Sequence, residues 1–172
     1  MQTQHQLGAD IMFAFDELTT LLNTRGYQEQ SVERTQAWAV RCIAEHEKLT
    51  AERSHRPYQA LFGVVQGAQY EDLRRQACRG LESITGESGR GFDGYGIGGA
   101  LEKQNLGTIV RWCNEELPEH KPRHMLGISE PRVALGDAIR AGGPRLAGIV
   151  MATAQPGLER APVGGEEGWR GV

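Results

Sequence analysis

Leu61-Phe62-Gly63-Val64-Val65-Gln66-Gly67, followed closely by Tyr70-Glu71-Asp72-Leu73-Arg74, is the stretch that decides the fold class. A short, nearly continuous apolar run reads as a strand buried on both faces. The polar residue and glycine that end it mark a turn. The segment after the turn carries Leu73, Ala77 and Leu81 at helical spacing and extends to about Ile84. Strand then helix at this spacing is the repeating unit of a parallel sheet with right-handed crossovers.

The same unit recurs on both sides. Apolar runs stand at Asp10 to Phe15, Phe92 to Ile97 and His124 to Ile128. Ser31 to about Arg53 has helical periodicity, with Ser31 as the expected cap, Glu33 in the first turn, and Val32, Ala37, Trp38, Val40, Ile43 and Ala44 as apolar positions. Asn105 to Leu117 carries Leu106, Ile109, Val110 and Trp112, and Pro118 closes it. Pro131 to Ile139 forms a weaker fourth helical segment, with Pro131 suited to its first turn. No GxGxxG follows the first strand, so the dinucleotide-binding version of an open sheet has no support.

These repeats predict an α/β chain of parallel strand-helix units forming part of a (β/α)8 TIM-type barrel. The barrel is expected to be incomplete, since 172 residues fall short of the roughly 250 such a barrel needs. Residues 1–140 are assigned to the partial barrel and residues 141–172 to a divergent Gly/Ala/Arg/Pro-rich tail. Leu146 to Ala152 is a candidate fifth strand, and disorder is expected after it.

Composition narrows the function classes. A net charge of -3 gives the whole chain no general attraction for phosphate, which counts mildly against nucleic-acid binding. The three cysteines, Cys42, Cys78 and Cys113, are dispersed. They form no CxxC pair and no zinc-spaced cluster, and are expected as reduced, half-buried helix thiols. No apolar stretch approaches the roughly 20 residues of a membrane span. Met1-Gln2-Thr3-Gln4-His5-Gln6 lacks the apolar core of a signal peptide, so a cytoplasmic location is expected.

In a parallel barrel, active sites lie at the carboxyl ends of the strands. Asp16 and Glu17 follow the first strand, and a carboxylate there can accept two hydrogen bonds from the N1-H and N2-H edge of a guanine-like base. Gln66 follows the second, and its amide offers both a donor and an acceptor to a heterocycle. Gly98-Gly99 follow the third and leave backbone groups open to a planar ligand. Arg123-His124 and Met125-Leu126 lie in the fourth, where alternation turns one of Met125 and Leu126 toward the interior. Each feature has a plain structural alternative, as a cap, a loop residue, a strand-to-helix turn or a core side chain, and spacing alone does not choose.

Together the blocks resemble one family. Gly8-Ala9-Asp10-Ile11-Met12-Phe13-Ala14-Phe15-Asp16-Glu17, then Ser31-Val32-Glu33-Arg34-Thr35 with Trp38 and Arg41-Cys42, resemble consecutive blocks of the queuine tRNA-ribosyltransferases, or tRNA-guanine transglycosylases. So do the 61–67 and 70–74 stretches, Gly91-Phe92-Asp93-Gly94-Tyr95 with Ile97-Gly98-Gly99, and Leu117-Pro118, Lys121-Pro122-Arg123 and Leu126-Gly127-Ile128. Order and spacing also match.

The resemblance implies a barrel enzyme of queuosine tRNA modification that exchanges a wobble guanine for queuine or its precursor. On it, Asp16, Gln66, Gly98, Gly99, Met125 and Leu126 contact the base. The loop Gly127, Ile128, Ser129, Glu130, Pro131, Arg132 and Val133 lies against tRNA. The partners implied are tRNA and a guanine-like base, with a homo-oligomer or a full-length transglycosylase subunit as a further possibility.

The departures are equally specific. The family's general acid/base aspartate belongs to a Ser-Gly-Gly-Phe segment before the first block. Its nucleophilic aspartate belongs to a Phe-Asp-Cys-Val segment, where this chain has Ala147 within Leu146-Ala147-Gly148-Ile149. An aspartate nucleophile attacks the ribose carbon and holds the tRNA covalently, work an alanine cannot do. The family's zinc ligands have no counterpart in this sequence, so neither a catalytic residue nor a metal is assigned to it. A short insertion at Thr85 to Arg90 is expected to be a loop. Leu18 stands where several bacterial members carry Cys, which leaves the preferred base open. The expectation is therefore a chain inactive alone; the alternatives are a non-catalytic partner subunit and an unrelated α/β enzyme of phosphorylated metabolites.

Overall fold

A computed structural model describes residues 1–99 and 102–127, together with the backbone of a two-residue strand, Ile149–Val150. In chain order the elements are α1 (Gln2–Leu7), β1 (Ile11–Phe13), α2 (Arg25–Glu52), β2 (Ala60–Val65), α3 (Glu71–Glu82), β3 (Gly94–Ile97), a short 3-10 turn (Lys103–Asn105), α4 (Leu106–Glu116), β4 (Arg123–Met125) and β5 (Ile149–Val150).

The five strands form one sheet in the order β1-β2-β3-β4-β5, and every neighbouring pair is parallel. Sequential order without reversal is how a barrel winds; an open doubly wound sheet changes direction partway. The chain is thus part of an α/β barrel, as expected. The strand expected between Leu146 and Ala152 is present as Ile149–Val150, joined to β4 through Arg123↔Ile149 and His124↔Val150. The helical segment expected at Pro131 to Ile139 and the rest of the tail lie outside the described residues.

Side chains alternate across the sheet. On the helix side, Met12, Leu61, Val65, Tyr95, Ile97 and Met125 join the buried core with apolar residues of α2, α3 and α4. The other face turns toward the barrel axis. There β3 offers glycine at each position, and neighbouring side chains lie across it. A Cβ at Gly94 would meet the Phe62 ring at 2.5 Å, and one at Gly96 would meet Phe13 at 3.0 Å and Leu126 at 3.1 Å. Phe13 and Phe62 themselves pack edge to face, 5.7 Å between centroids.

The start of α2 and its buried face depart from expectation. α2 begins at Arg25, with Thr24 as its cap accepting from the Tyr27 N–H. Ser31 lies inside the helix, where its hydroxyl donates to the Glu17 carbonyl at 2.9 Å. The buried stripe of α2 runs through Gln28, Ser31, Val32, Thr35, Ala39, Cys42, Ile43 and His46, while Val40 is exposed. The helix therefore turns a partly polar face inward, and apolar residues alone mislocated that face. All three cysteines are free and fully buried on helices. The Thr85–Arg90 insertion is a loop, held against α2 by Glu47, which accepts from the N–H of Glu87 at 2.8 Å and of Ser88 at 3.3 Å. Among the described residues no helix is long and apolar enough to cross a membrane.

Candidate base-binding site

The sheet brings the ends of β1, β2 and β3 together at its carboxyl edge. The Gln66 amide donates from Nε2 to Oδ2 of Asp16 at 2.5 Å, joining two residues fifty positions apart. Gln66 is only 1% exposed, and its Oε1 has no hydrogen-bond partner. Burial holds the Asp16 carboxyl above its ordinary range, with the Gln66 hydrogen bond opposing the shift.

Local backbone explains why these residues sit where they do. After β2 the chain turns sharply through Gly67 at φ 124° and Ala68 at φ 47° into α3. A Cβ at Gly67 would stand 2.8 Å from the Arg74 backbone nitrogen, so the helix can approach only a glycine there. After β3, Gly99 has φ 82°, and a Cβ on it would fall 2.5 Å from Gln66 Oε1. A Cβ on Gly98 would stand 3.0 Å from a methyl group of Leu126 and 3.1 Å from one of Val64. Asp16, Gln66, Gly98, Gly99 and Leu126 thus share one corner of the fold.

Met125 does not join them. It is fully buried in the core beneath the sheet, with Ile97, Ile109 and Val110 in the same cluster. Gly127 is described and takes a positive φ of 75°. Ile128, Ser129, Glu130, Pro131, Arg132 and Val133 lie outside the described residues, as does Ala147.

Other sequence candidates have structural partners. Arg123 is buried and wraps the end of α4, donating to the carbonyls of Leu117 at 2.8 Å and Pro118 at 2.6 Å, with that of Lys121 also in contact. Glu17 is bound by Arg34 at 2.5 Å and by the Tyr27 hydroxyl at 2.6 Å, which ties the loop after β1 to α2. His124 packs against Phe13, 5.3 Å between ring centroids.

Sequence reasoning missed Arg74, which is completely buried behind the Gln66 turn. It donates to the carbonyls of Ala68 at 2.8 Å and Val65 at 2.9 Å. Its place in a helix beside Asp72 and Arg75 makes it look like a solvent residue; the one available signal was its position on the Tyr70, Leu73, Ala77 side of the helical repeat.

Among the described residues no group of three or more His, Cys, Asp or Glu is placed to hold a metal ion. A cleft of about 520 Å³ bounded by Phe15, Trp38, Arg41, Cys42 and Glu45 lies beside α1 and does not include the Asp16–Gln66 pair.

Comparison with known proteins gives the same family. The family model for queuine tRNA-ribosyltransferase matches residues 1–142. An Archaeoglobus fulgidus relative is 45% identical over 130 residues, which is 74% of this chain and 28% of its own. Queuine tRNA-ribosyltransferases of Shouchella clausii and Bacillus cereus are 38% and 40% identical, each match covering 81% of this chain. The match takes in 35% and 34% of those two proteins, so the chain spans about a third of the relatives' length. With a family-model match over most of its length, on a sheet wound in barrel order, this chain belongs to the queuine tRNA-ribosyltransferase family.

Proposed function

We propose that this chain supplies the base-recognition side of a tRNA-guanine transglycosylase, acting in queuosine modification of tRNA in the cytoplasm. The observation that carries the reading is the Asp16–Gln66 pair, half-buried at the carboxyl edge of the barrel strands. An ionised Asp16 accepts two hydrogen bonds from the N1-H and N2-H edge of guanine or of a queuine precursor. Gln66 then turns its donor to the carbonyl of the same ring, and the Gly99 backbone adds a contact. Leu126, leaning over Gly98, forms an apolar wall, and Met125 supports that wall from the core. By the family resemblance, residues Gly127 to Val133 would contact the tRNA.

The exchange itself needs an acid/base and a nucleophilic carboxylate. No described residue fills either role, and alanine stands at 147, where the family pattern asks for the nucleophile. The 172 residues by themselves are therefore expected to bind a base without exchanging it. That alanine also favours a second reading, a non-catalytic subunit partnered with a complete transglycosylase.

Equilibrium dialysis with radiolabelled guanine tests the proposal. Wild-type protein is expected to retain guanine and Asp16→Ala to lose it, with no labelled guanine entering tRNA in either case. Equal retention by both proteins would sink the base-pocket reading. Incorporation by the wild type would sink the claim that this chain alone is inactive. Co-purification with a full-length transglycosylase would favour the second reading.

A further inference from the structure

Two buried polar atoms beside this corner lack partners: Oε1 of Gln66 and one terminal guanidinium nitrogen, Nη2, of Arg74. Orphaned buried groups of this kind are uncommon and call for an explanation. Both converge on one place. The point where a Gly99 Cβ would stand is 2.5 Å from Gln66 Oε1 and 3.4 Å from Arg74 Nη2. Arg74 is 0% exposed, and among the described residues no carboxylate pairs with it. A buried cation without a counter-ion is expensive, and carbonyl contacts alone are a modest return for it.

The Gln66 amide has two ends, and each faces something different. Its Nε2 donates to Asp16, which leaves Oε1 on the Gly99–Arg74 side. In the free protein Asp16 is enough to orient the amide. Once a base occupies the Asp16 carboxylate, that hydrogen bond is lost and the amide is free to rotate. A rotated amide would present its carbonyl to the ligand, reversing the preference from acceptor to donor at that position.

We propose that Arg74 is a positioning residue for base selection: its free Nη2 captures Gln66 Oε1 when a base takes over Asp16, so that Gln66 presents only its N–H donors. The other guanidinium nitrogens are already anchored to Val65 and Ala68, on either side of Gln66, so the donor is held at fixed register with the amide. Gly99, having no Cβ, keeps the gap between the two groups open. The consequence is a pocket that favours a 6-oxo purine over a 6-amino purine. The inference rests on the base-binding reading above.

The test measures retention of guanine and of 2,6-diaminopurine by the full chain, in wild type and Arg74→Met. The two bases share the 2-amino group and differ at positions 1 and 6, and the Asp16 contribution to the ratio is common to both proteins. Wild type is expected to prefer guanine, and Arg74→Met to shrink that preference about tenfold, the scale of one mispaired buried polar group. A purely structural role for Arg74 would weaken both bases alike and leave the ratio unchanged, which would overturn the inference. If circular dichroism shows Arg74→Met unfolded, Arg74→Gln keeps a donor for the two carbonyls and removes Nη2, with the same expected and overturning results. A wild-type protein that retains both bases equally would also overturn it. Retention of neither base would instead remove the base-binding reading, and this inference with it.

Discussion

Nε2 of His5 and Nδ1 of His46 stand 3.0 Å apart, both rings buried, where α1 crosses α2. The chain of contacts continues from His46 to the Tyr58 hydroxyl at 3.3 Å and from Tyr58 to Asp93 at 2.7 Å. Asp93 also accepts the Leu61 N–H at 2.9 Å. This network sits at the amino-terminal side of β2 and β3, opposite the candidate site, where a barrel invests in stability.

Acid should open this network. Burial, with His5 close by, lowers the His46 ring from 6.5 to about 4, and burial with Arg53 nearby lowers His5. A histidine depressed in the fold contributes stability that is present above its unfolded value and lost as pH falls through the folded one. Thermal unfolding followed by circular dichroism should therefore show a falling Tm between about pH 6.5 and 4. The His46 contribution is at most about 3 kcal/mol. His46→Gln should be less stable at pH 7 and flatter across this window; an unchanged slope would exclude His46 as its source.

Asp16 carries the opposite sign. Its carboxyl is raised by burial, so it adds stability below the unfolded value and loses it as pH rises through the folded one. At neutral pH the ionised group is a cost of the site. Asp16→Asn should leave Tm unchanged or higher at pH 7 while guanine retention is lost. A large drop in Tm would show that the carboxylate supports the fold.

The two left-handed glycines of the site should respond differently to alanine. At Gly67 the new methyl meets the Arg74 backbone at 2.8 Å, which cannot yield without moving α3. Gly67→Ala should cost about 2 kcal/mol or more in denaturant unfolding. At Gly99 the obstacle is the end of the Gln66 side chain at 2.5 Å, which can swing aside. Gly99→Ala should cost about 1 kcal/mol and lose guanine retention, since the displaced amide no longer reaches the base. Retention by Gly99→Ala would place the ligand elsewhere.

Phe92 fills the space that Gly63 leaves on the helix side of β2, 3.1 Å from where a Cβ would be, and packs against Tyr95 at 6.2 Å. It is 2% exposed. Phe92→Ala should destabilise by about 3–5 kcal/mol, read as a shift in the urea midpoint. A cost below about 1 kcal/mol would mean the neighbouring helices collapse into the cavity.

Much was legible in the chain itself because it depends on local pattern. The alternation of apolar run and amphipathic helix gave the parallel units, and the polar residues ending those runs gave Asp16, Gln66 and Gly98–Gly99. Burial on both sheet faces forces β2 to be apolar throughout, and a strand-to-helix turn forces glycine, so both leave marks in sequence. Thr24 against Ser31 shows the limit: several residues could cap α2, and only the contacts of Ser31 with the Glu17 carbonyl assign it to the interior.

What tertiary structure alone decided concerns residues far apart along the chain. Arg74 reads as a helix-surface cation until α3 lays it behind β2, and His5 and His46 gain meaning only when α1 meets α2. The sequence determined which segments are strands and helices and which residues stand at strand ends, because backbone propensity and burial pattern act over a few residues. The choice between Leu126 over the glycines and Met125 in the core, and the union of Asp16 with Gln66 across fifty residues, came from sheet register, which depends on how distant strands pair.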